Sequence, residues 1–438
     1  MLSMGRAETI PNLSLPIFAP AVLLRNLIVL DPASPFHNKA VDIVFVGGGI
    51  QSIAEATGAQ PGDTPQAYIS PGWVDTFADY REPGYETRET IATGLNAAAA
   101  GGFTDVLLAP NTQPAITTKG GVQYALRQAE GHAANLHPMG ALSQEIAGKK
   151  LAEMLDMHAH GAVAFTDGWQ PVQDAALLLK ALEYVKAFDG VVVQLPDDKA
   201  LSAGGLMHEG DESVRLGMPG IPAEAEELMV YRDVRLARYA GSRLHLSGIS
   251  TVGSVDIIRK AKAEGIDVTC SCTPYHLALS CDALGGYDSQ YKVNPPLRTE
   301  ADRQALIEAL ADGTVDCIAT HHRPQDWDAK NKEFEYAGWG MAIQELAFPV
   351  IWNAVWERVS LERLVDALAI RPRTIFGLPT HSIAEGAAGS FTIFSPEAET
   401  NKPMSAMQSL AWNNPFSGQA LRGSVVGIAT AKERNFAG

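Results

Sequence analysis

The chain has 438 residues, 46% hydrophobic and 19% charged, enough to bury one large core with a smaller unit beside it. Its formal net charge of -16 repels phosphate backbones and anionic membrane surfaces, so composition gives no support for a nucleic-acid or membrane partner. The cysteines Cys270, Cys272, Cys281 and Cys317 have no Cys-x-x-Cys spacing among them, which reads as reduced thiols and a cytoplasmic setting.

Residues 1 to about 15 read as a loose extension. The apolar stretch from Ile17 to Leu24 is interrupted by Pro20 and too short to span a bilayer, and no basic leader or cleavage-like site is expected before it. Short apolar runs at 22–29, 41–46 and 50–54 are separated by Asp31-Pro32 and Gly47-Gly48-Gly49, the pattern of a small antiparallel β unit. The runs 389–394 and 424–428 repeat it, so residues 1–69 and 381–438 are expected to form one composite β domain beside a middle spanning 70–380. In that middle, strands are predicted at 72–77, 104–109, 137–142, 162–166, 190–195, 243–248, 267–272 and 315–320. Helices predicted at 87–100, 172–188, 222–239, 252–265 and 301–310 alternate with them, which points to a (β/α)8 TIM barrel. Chemistry in such a barrel belongs at the C-terminal strand ends.

The first of those ends reads Pro71-Gly72-Trp73-Val74-Asp75-Thr76-Phe77-Ala78-Asp79-Tyr80-Arg81-Glu82-Pro83-Gly84. Together with Ala98-Ala99-Ala100-Gly101-Gly102-Phe103-Thr104, Pro110-Asn111-Thr112-Gln113-Pro114, Gly161 to Gly168, Thr273-Pro274-Tyr275-His276-Leu277, Val293 to Arg298 and Asn414 to Gly418, it resembles the dihydroorotases. These are cyclic amidohydrolases of the amidohydrolase superfamily, and the resemblance runs from about Ala21 to Ile428. It implies a TIM barrel, a zinc centre and a place in pyrimidine biosynthesis.

The metal positions implied by the resemblance are altered. The family's first strand carries His-x-His where this chain has Phe77 and Asp79, and a phenylalanine ring has no lone pair for a divalent ion. Where the family has histidines after strands five and six, this chain has Leu195 and Gly248. The family's strand-eight run Ala-Thr-Asp-His-Ala-Pro-His becomes Ala319-Thr320-His321-His322-Arg323-Pro324-Gln325, so the acid that takes the water proton is replaced by His321. Asp79, Asp167 and His321 are the residual metal candidates; no metal cofactor is expected unless these three bind a single zinc in a rearranged site. Arg81, Asn111 and Asn294 are the implied substrate-binding residues, holding a small carboxylate, although Arg81 could instead brace the Glu82-Pro83-Gly84 turn.

His158-Ala159-His160 invites a zinc assignment but precedes strand four, at the N-terminal face, where a surface or helix-end role is expected. Gly47-Gly48-Gly49 has no following helix and reads as a hairpin turn, and His276 as a packed structural residue. Two functional readings stand. The leading one is an inactive or impaired dihydroorotase homologue kept as a scaffold or regulatory partner, with aspartate transcarbamoylase as its implied partner and a homo-oligomeric state. The alternative is an active cyclic-amide hydrolase interconverting dihydroorotate and carbamoyl aspartate, with His321 or His322 as base.

Overall fold

In the computed structural model, residues 22–56 and 67–430 are described; the extension expected at 1 to about 15 lies outside them. The described chain opens with β1 (Val22–Val29), β2 (Ala40–Val46), β3 (Gly49–Glu55) and β4 (Ala67–Pro71). Alternation along β2 sends Val41, Ile43 and Phe45 to one face, where they pack with Ile50, Ile53 and Ile69. Gly47 and Gly48 make the turn with φ of 59° and 80°, conformations in which a side chain is strained.

The barrel follows. Its first three strands, β5 (Trp73–Ala78), β6 (Phe103–Leu108) and β7 (Asn135–Pro138), lie parallel and adjacent. The segment predicted as a fourth strand at 162–166 contributes only single bridges from Phe165 to Gly140 and to Val192. Its backbone is nevertheless bonded on both sides, with Val163 N–H donating to Pro138 and Phe165 N–H to Val191, so it serves as the fourth stave. β8 (Val191–Gln194) comes next; β9 (Met207–His208) and β10 (Gly220–Ile221) form a separate parallel pair. β11 (Arg243–Ser247), β12 (Val268–Cys272) and β13 (Cys317–Ile318) complete the parallel order β8-β11-β12-β13, and a bridge from Ala78 to His322 closes the ring.

Helices Ile91–Ala100, Ala175–Val185, Glu224–Ala240, Val252–Ala263 and Glu300–Asp312 coat the outside at the predicted places. The first begins four residues later than predicted because Thr90 caps it, accepting from Thr93 N–H. Helices Lys119–Gln128 and Ala347–Val355 complete the coat without having been predicted. None of the helices among the described residues is long and apolar enough to cross a membrane.

Two last strands, β14 (Ser390–Thr400) and β15 (Leu421–Thr430), return to the start of the chain and give one sheet of order β15-β14-β4-β1-β2-β3. The protein is therefore a TIM barrel with a composite β domain built from both ends of the chain. Residues 401–420, between β14 and β15, cross to the barrel: Asn413 donates to the carbonyls of Arg323 and Gly340, and Asn414 to that of Ala342.

Candidate functional site

The barrel interior has two unlike walls. One is apolar from bottom to top: Val74, Phe77, Leu107, Met139, Val193 and Leu195 form one buried cluster with Trp169. The other is polar and continuous. Thr269 Oγ1 lies 2.9 Å from His245 Nδ1, His245 Nε2 3.2 Å from Ser271 Oγ, Ser271 Oγ 3.3 Å from Ser247 Oγ, and Ser247 Oγ 2.9 Å from His321 Nε2. These residues come from β11, β12 and the segment after β13, because alternation along a strand sends residues 245 and 247, and 269 and 271, to the same side.

The walls meet at His321. Its ring centroid is 4.8 Å from that of Phe77 and 5.4 Å from that of Trp169, the latter edge-on at 88°. Gly248 makes room for it: at φ +76° a Cβ there would come within 2.3 Å of His321 Cε1. The loss of a side chain at 248 and the arrival of a ring at 321 are thus one packing event. His321 itself sits at φ +48°, a strained backbone for an imidazole-bearing residue. Burial, reinforced by His276, His245 and Arg323, pushes its pKa down to about 3, so the ring is neutral at physiological pH. Nδ1 is buried without a partner.

The other predicted residues are placed as follows. Asp79 is fully buried and accepts from Trp169 Nε1 at 2.8 Å, with Arg81 Nη1 at 3.4 Å. Asp167 accepts from Ser143 N–H at 2.8 Å and from the Ser143 hydroxyl, and burial raises its pKa to about 6. Asn111 spends its amide on the backbone, donating to Asp167 O at 3.1 Å and accepting from Trp169 N–H at 3.3 Å. Asn294 donates to Asp197 at 3.2 Å. Both asparagines are therefore engaged within the protein. Leu195 packs in the apolar wall beside Phe77. His322 accepts from Gln344 N–H at 3.3 Å, and its Nε2 is 3.5 Å from the buried Glu89 carboxylate. Gln325 donates to Trp339 O at 2.6 Å.

His158 and His160 lie at the end of helix Met154–Ala159, hydrogen-bonded to the carbonyls of Ala162 and Asp156. His276 is buried between Thr273 Oγ1 and Pro296 O, at 2.9 and 3.1 Å.

The zinc centre that the resemblance implies does not fit these side chains. Asp79 is committed to an indole N–H and a guanidinium, Asp167 to Ser143, and His321 Nε2 to Ser247. Among the described residues no group of three or more His, Cys, Asp or Glu side chains is arranged to hold a metal ion. Two residues passed over in the sequence dominate the mouth instead. Trp169 bridges Phe77, Asp79 and His321, and Arg323 lies over its ring, Cζ 4.3 Å from the centroid. Both stood in plain view, directly after Gly168 and inside the strand-eight run, but a tryptophan and an arginine outside the expected ligand positions carried no signal of their own.

Comparison with known proteins agrees with this architecture. Residues 67–254 match the family model described as dihydro-orotase-like. The chain is 40% identical over 408 residues to the dihydroorotase of Pelotomaculum thermopropionicum, covering 92% of this chain and 95% of that one. It is 41% identical over 403 residues to the dihydroorotase of Anaeromyxobacter dehalogenans, covering 90% and 93%. The L-hydantoinase (dihydropyrimidinase) of Arthrobacter aurescens superposes with a TM-score of 0.78 at 24% identity over 94% of this chain and 96% of its own, a likeness of fold. These relatives overturn the expectation of an inactive scaffold: identity near 40% over nine-tenths of the chain to proteins named dihydroorotase favours the alternative, an active enzyme. By its sequence along nearly its whole length, and by the barrel and composite sheet that the sequence builds, this chain belongs to the dihydroorotase family.

Proposed function

We propose that the protein is an active cyclic-amide hydrolase that interconverts dihydroorotate and carbamoyl aspartate, as its relatives' name implies. The observation that carries this reading is the 40% identity to dihydroorotases over 92% of the chain. In the hydrolytic direction, water adds to the ring carbonyl, the C–N bond breaks and the ring nitrogen leaves with a proton.

The residues at the mouth suggest how each demand is met. Arg81 is the group for the substrate carboxylate, since a guanidinium fork matches two carboxylate oxygens. His321 is the group for the proton. It is neutral, and Ser247 occupies Nε2, which leaves Nδ1 as the nitrogen available to the substrate. Trp169 and Phe77 pack against this ring and exclude bulk water from it. No step is routed through a metal, because the donor set does not fit one.

The test is turnover in both directions by the purified protein, with dihydroorotate at alkaline pH and carbamoyl aspartate at acid pH. His321→Ala is expected to lower kcat by about 10²–10⁴-fold. Absence of turnover in the unaltered protein, under conditions where a related dihydroorotase is active, would overturn the proposal.

A further inference from the structure

We infer that the outer face of helix Glu224–Ala240 is an interface for a second copy of this chain, whose own helix lies antiparallel across a two-fold axis at Tyr231. The face belongs to the outer coat of the barrel, so the inference does not rest on the cyclic-amide reading.

The inner side of this helix is ordinary: Ala225, Met229, Val230, Val234 and Ala237 are buried. Its outer side is not polar throughout. Leu228 and Tyr231 are each 54% exposed, and Tyr239 is 78% exposed. With Arg235 between the tyrosines, these residues follow one another at spacings of three and four, a continuous stripe along the helix. At about 100° per residue the stripe shares one sector, about 120° wide, with Glu224, Glu227 and Arg238. Tyrosine and arginine are the side chains that the centres of protein interfaces favour.

Charge decides what covers the stripe. Glu224 and Glu227 stand in the first turn, Arg235 and Arg238 toward the other end, so this face is neutral in a chain whose net charge is -16. Arg238 pairs with the exposed Glu264 at 2.7 Å, whereas Glu224, Glu227 and Arg235 make no ion pair with a described residue. An acidic or a basic partner would satisfy only one end of such a face. A copy of the same helix turned end for end satisfies both. Across a two-fold axis, residues equally far on either side of it face each other, and Glu227 and Arg235 are four residues to either side of Tyr231 while Glu224 and Arg238 are seven. A single axis therefore sets every one of these charges against its opposite, brings Tyr231 against its own mate and opposes the two helix dipoles. A specific dimer needs about 800 Å² on each partner, more than one helix presents. The contact therefore extends onto helices Ala175–Val185 and Val252–Ala263, which pack on its two sides, and Val252, 38% exposed, adds an apolar group there.

The experiment is sedimentation equilibrium of the full-length protein over a range of concentrations, with Glu227→Arg, Arg235→Glu and the two combined. The unaltered protein is expected to dimerise. Each single reversal sets like charges against each other and should weaken dimerisation by about tenfold or more, and the double reversal should restore it. That rescue excludes misfolding as the cause of the loss. Cysteine cross-linking tests the register: the native cysteines are buried, so Tyr231→Cys supplies an exposed thiol on the axis and should form an intermolecular disulfide under mild oxidation. In Tyr239→Cys the two thiols would lie about 24 Å apart along the helices and should not. A monomer at every concentration, dimerisation untouched by the single reversals, no rescue in the double one, or cross-linking as fast at 239 as at 231 would each overturn the interface.

Discussion

At the lower end of the barrel Arg373 donates to Asp105 at 2.5 Å, to Gly72 O at 2.9 Å and to Pro379 O at 2.9 Å, and only its Nε goes without a partner. Asp105 also lies 2.8 Å from His137 Nε2; these partners outweigh its burial and hold its pKa well below the usual carboxylate range. At the upper end Arg81 lies 3.4 Å from Asp79, while the Arg323 side chain has no ion pair with a described residue and rests on the aromatic face of Trp169. The same residue type is satisfied at one end and left wanting at the other. In a TIM barrel the lower end serves stability and the upper end chemistry, and the pairing of charges follows that division.

The largest effect that would break this comparison lies at the satisfied end. Arg373→Met leaves the buried Asp105 with His137, the Asn135 amide and the Thr104 hydroxyl but without its guanidinium, and unfolding by urea should show a loss of about 3–5 kcal/mol. A loss no greater than that of a surface arginine would mean that the two ends are not different in kind.

Next in size is Gly248→Ala, which meets both the strain of positive φ and the His321 ring, for a combined cost of about 2–4 kcal/mol. The cost should fall by half or more when His321→Ala is made with it. Additive costs in that double-mutant cycle would separate the two residues that the packing joins.

Asp167 sharpens the comparison through pH. Its folded pKa, raised from 3.8 to about 6, means that the folded protein holds this proton more tightly, so stability contributed below pH 3.8 is lost as pH rises through 6. Asp167→Asn should therefore stabilise the protein at pH 7–8, by on the order of 2 kcal/mol, with the gain shrinking toward pH 4. A destabilised variant at pH 8 would return Asp167 to the list of residues needed as a carboxylate.

The smallest effect is at the unsatisfied end. Arg323→Met without ligand should change stability by less than about 1 kcal/mol, or raise it, since no ion pair is lost and an unpaired charge is removed. A loss as large as that of Arg373→Met would mean that Arg323 has a partner after all.

Most of the fold was legible in the sequence, because strand alternation and helix periodicity are local. Seven of the eight barrel strands fall within a few residues of their predicted ranges, while the eighth, around Phe165, keeps its hydrogen bonds but not a regular ladder. The site was legible only in part. Substitution at Phe77, Leu195 and Gly248 could be seen one position at a time, but the filling of the Gly248 space by His321 joins residues 73 positions apart. The engagement of Asn111 with the backbone at 167 and 169 is likewise a property of the folded mouth. Arg323 could be read as a residue but not as an unpaired charge, since pairing is decided by every neighbour at once.

The most direct test of the account is the rate of dihydroorotate hydrolysis before and after exhaustive chelation, with His321→Ala beside the unaltered protein. The side chains at the mouth do not fit a metal, so the rate should survive chelation, gain nothing from added zinc and fall in His321→Ala. A rate abolished by chelation and restored by zinc, or no rate at all in the unaltered protein, would contradict it.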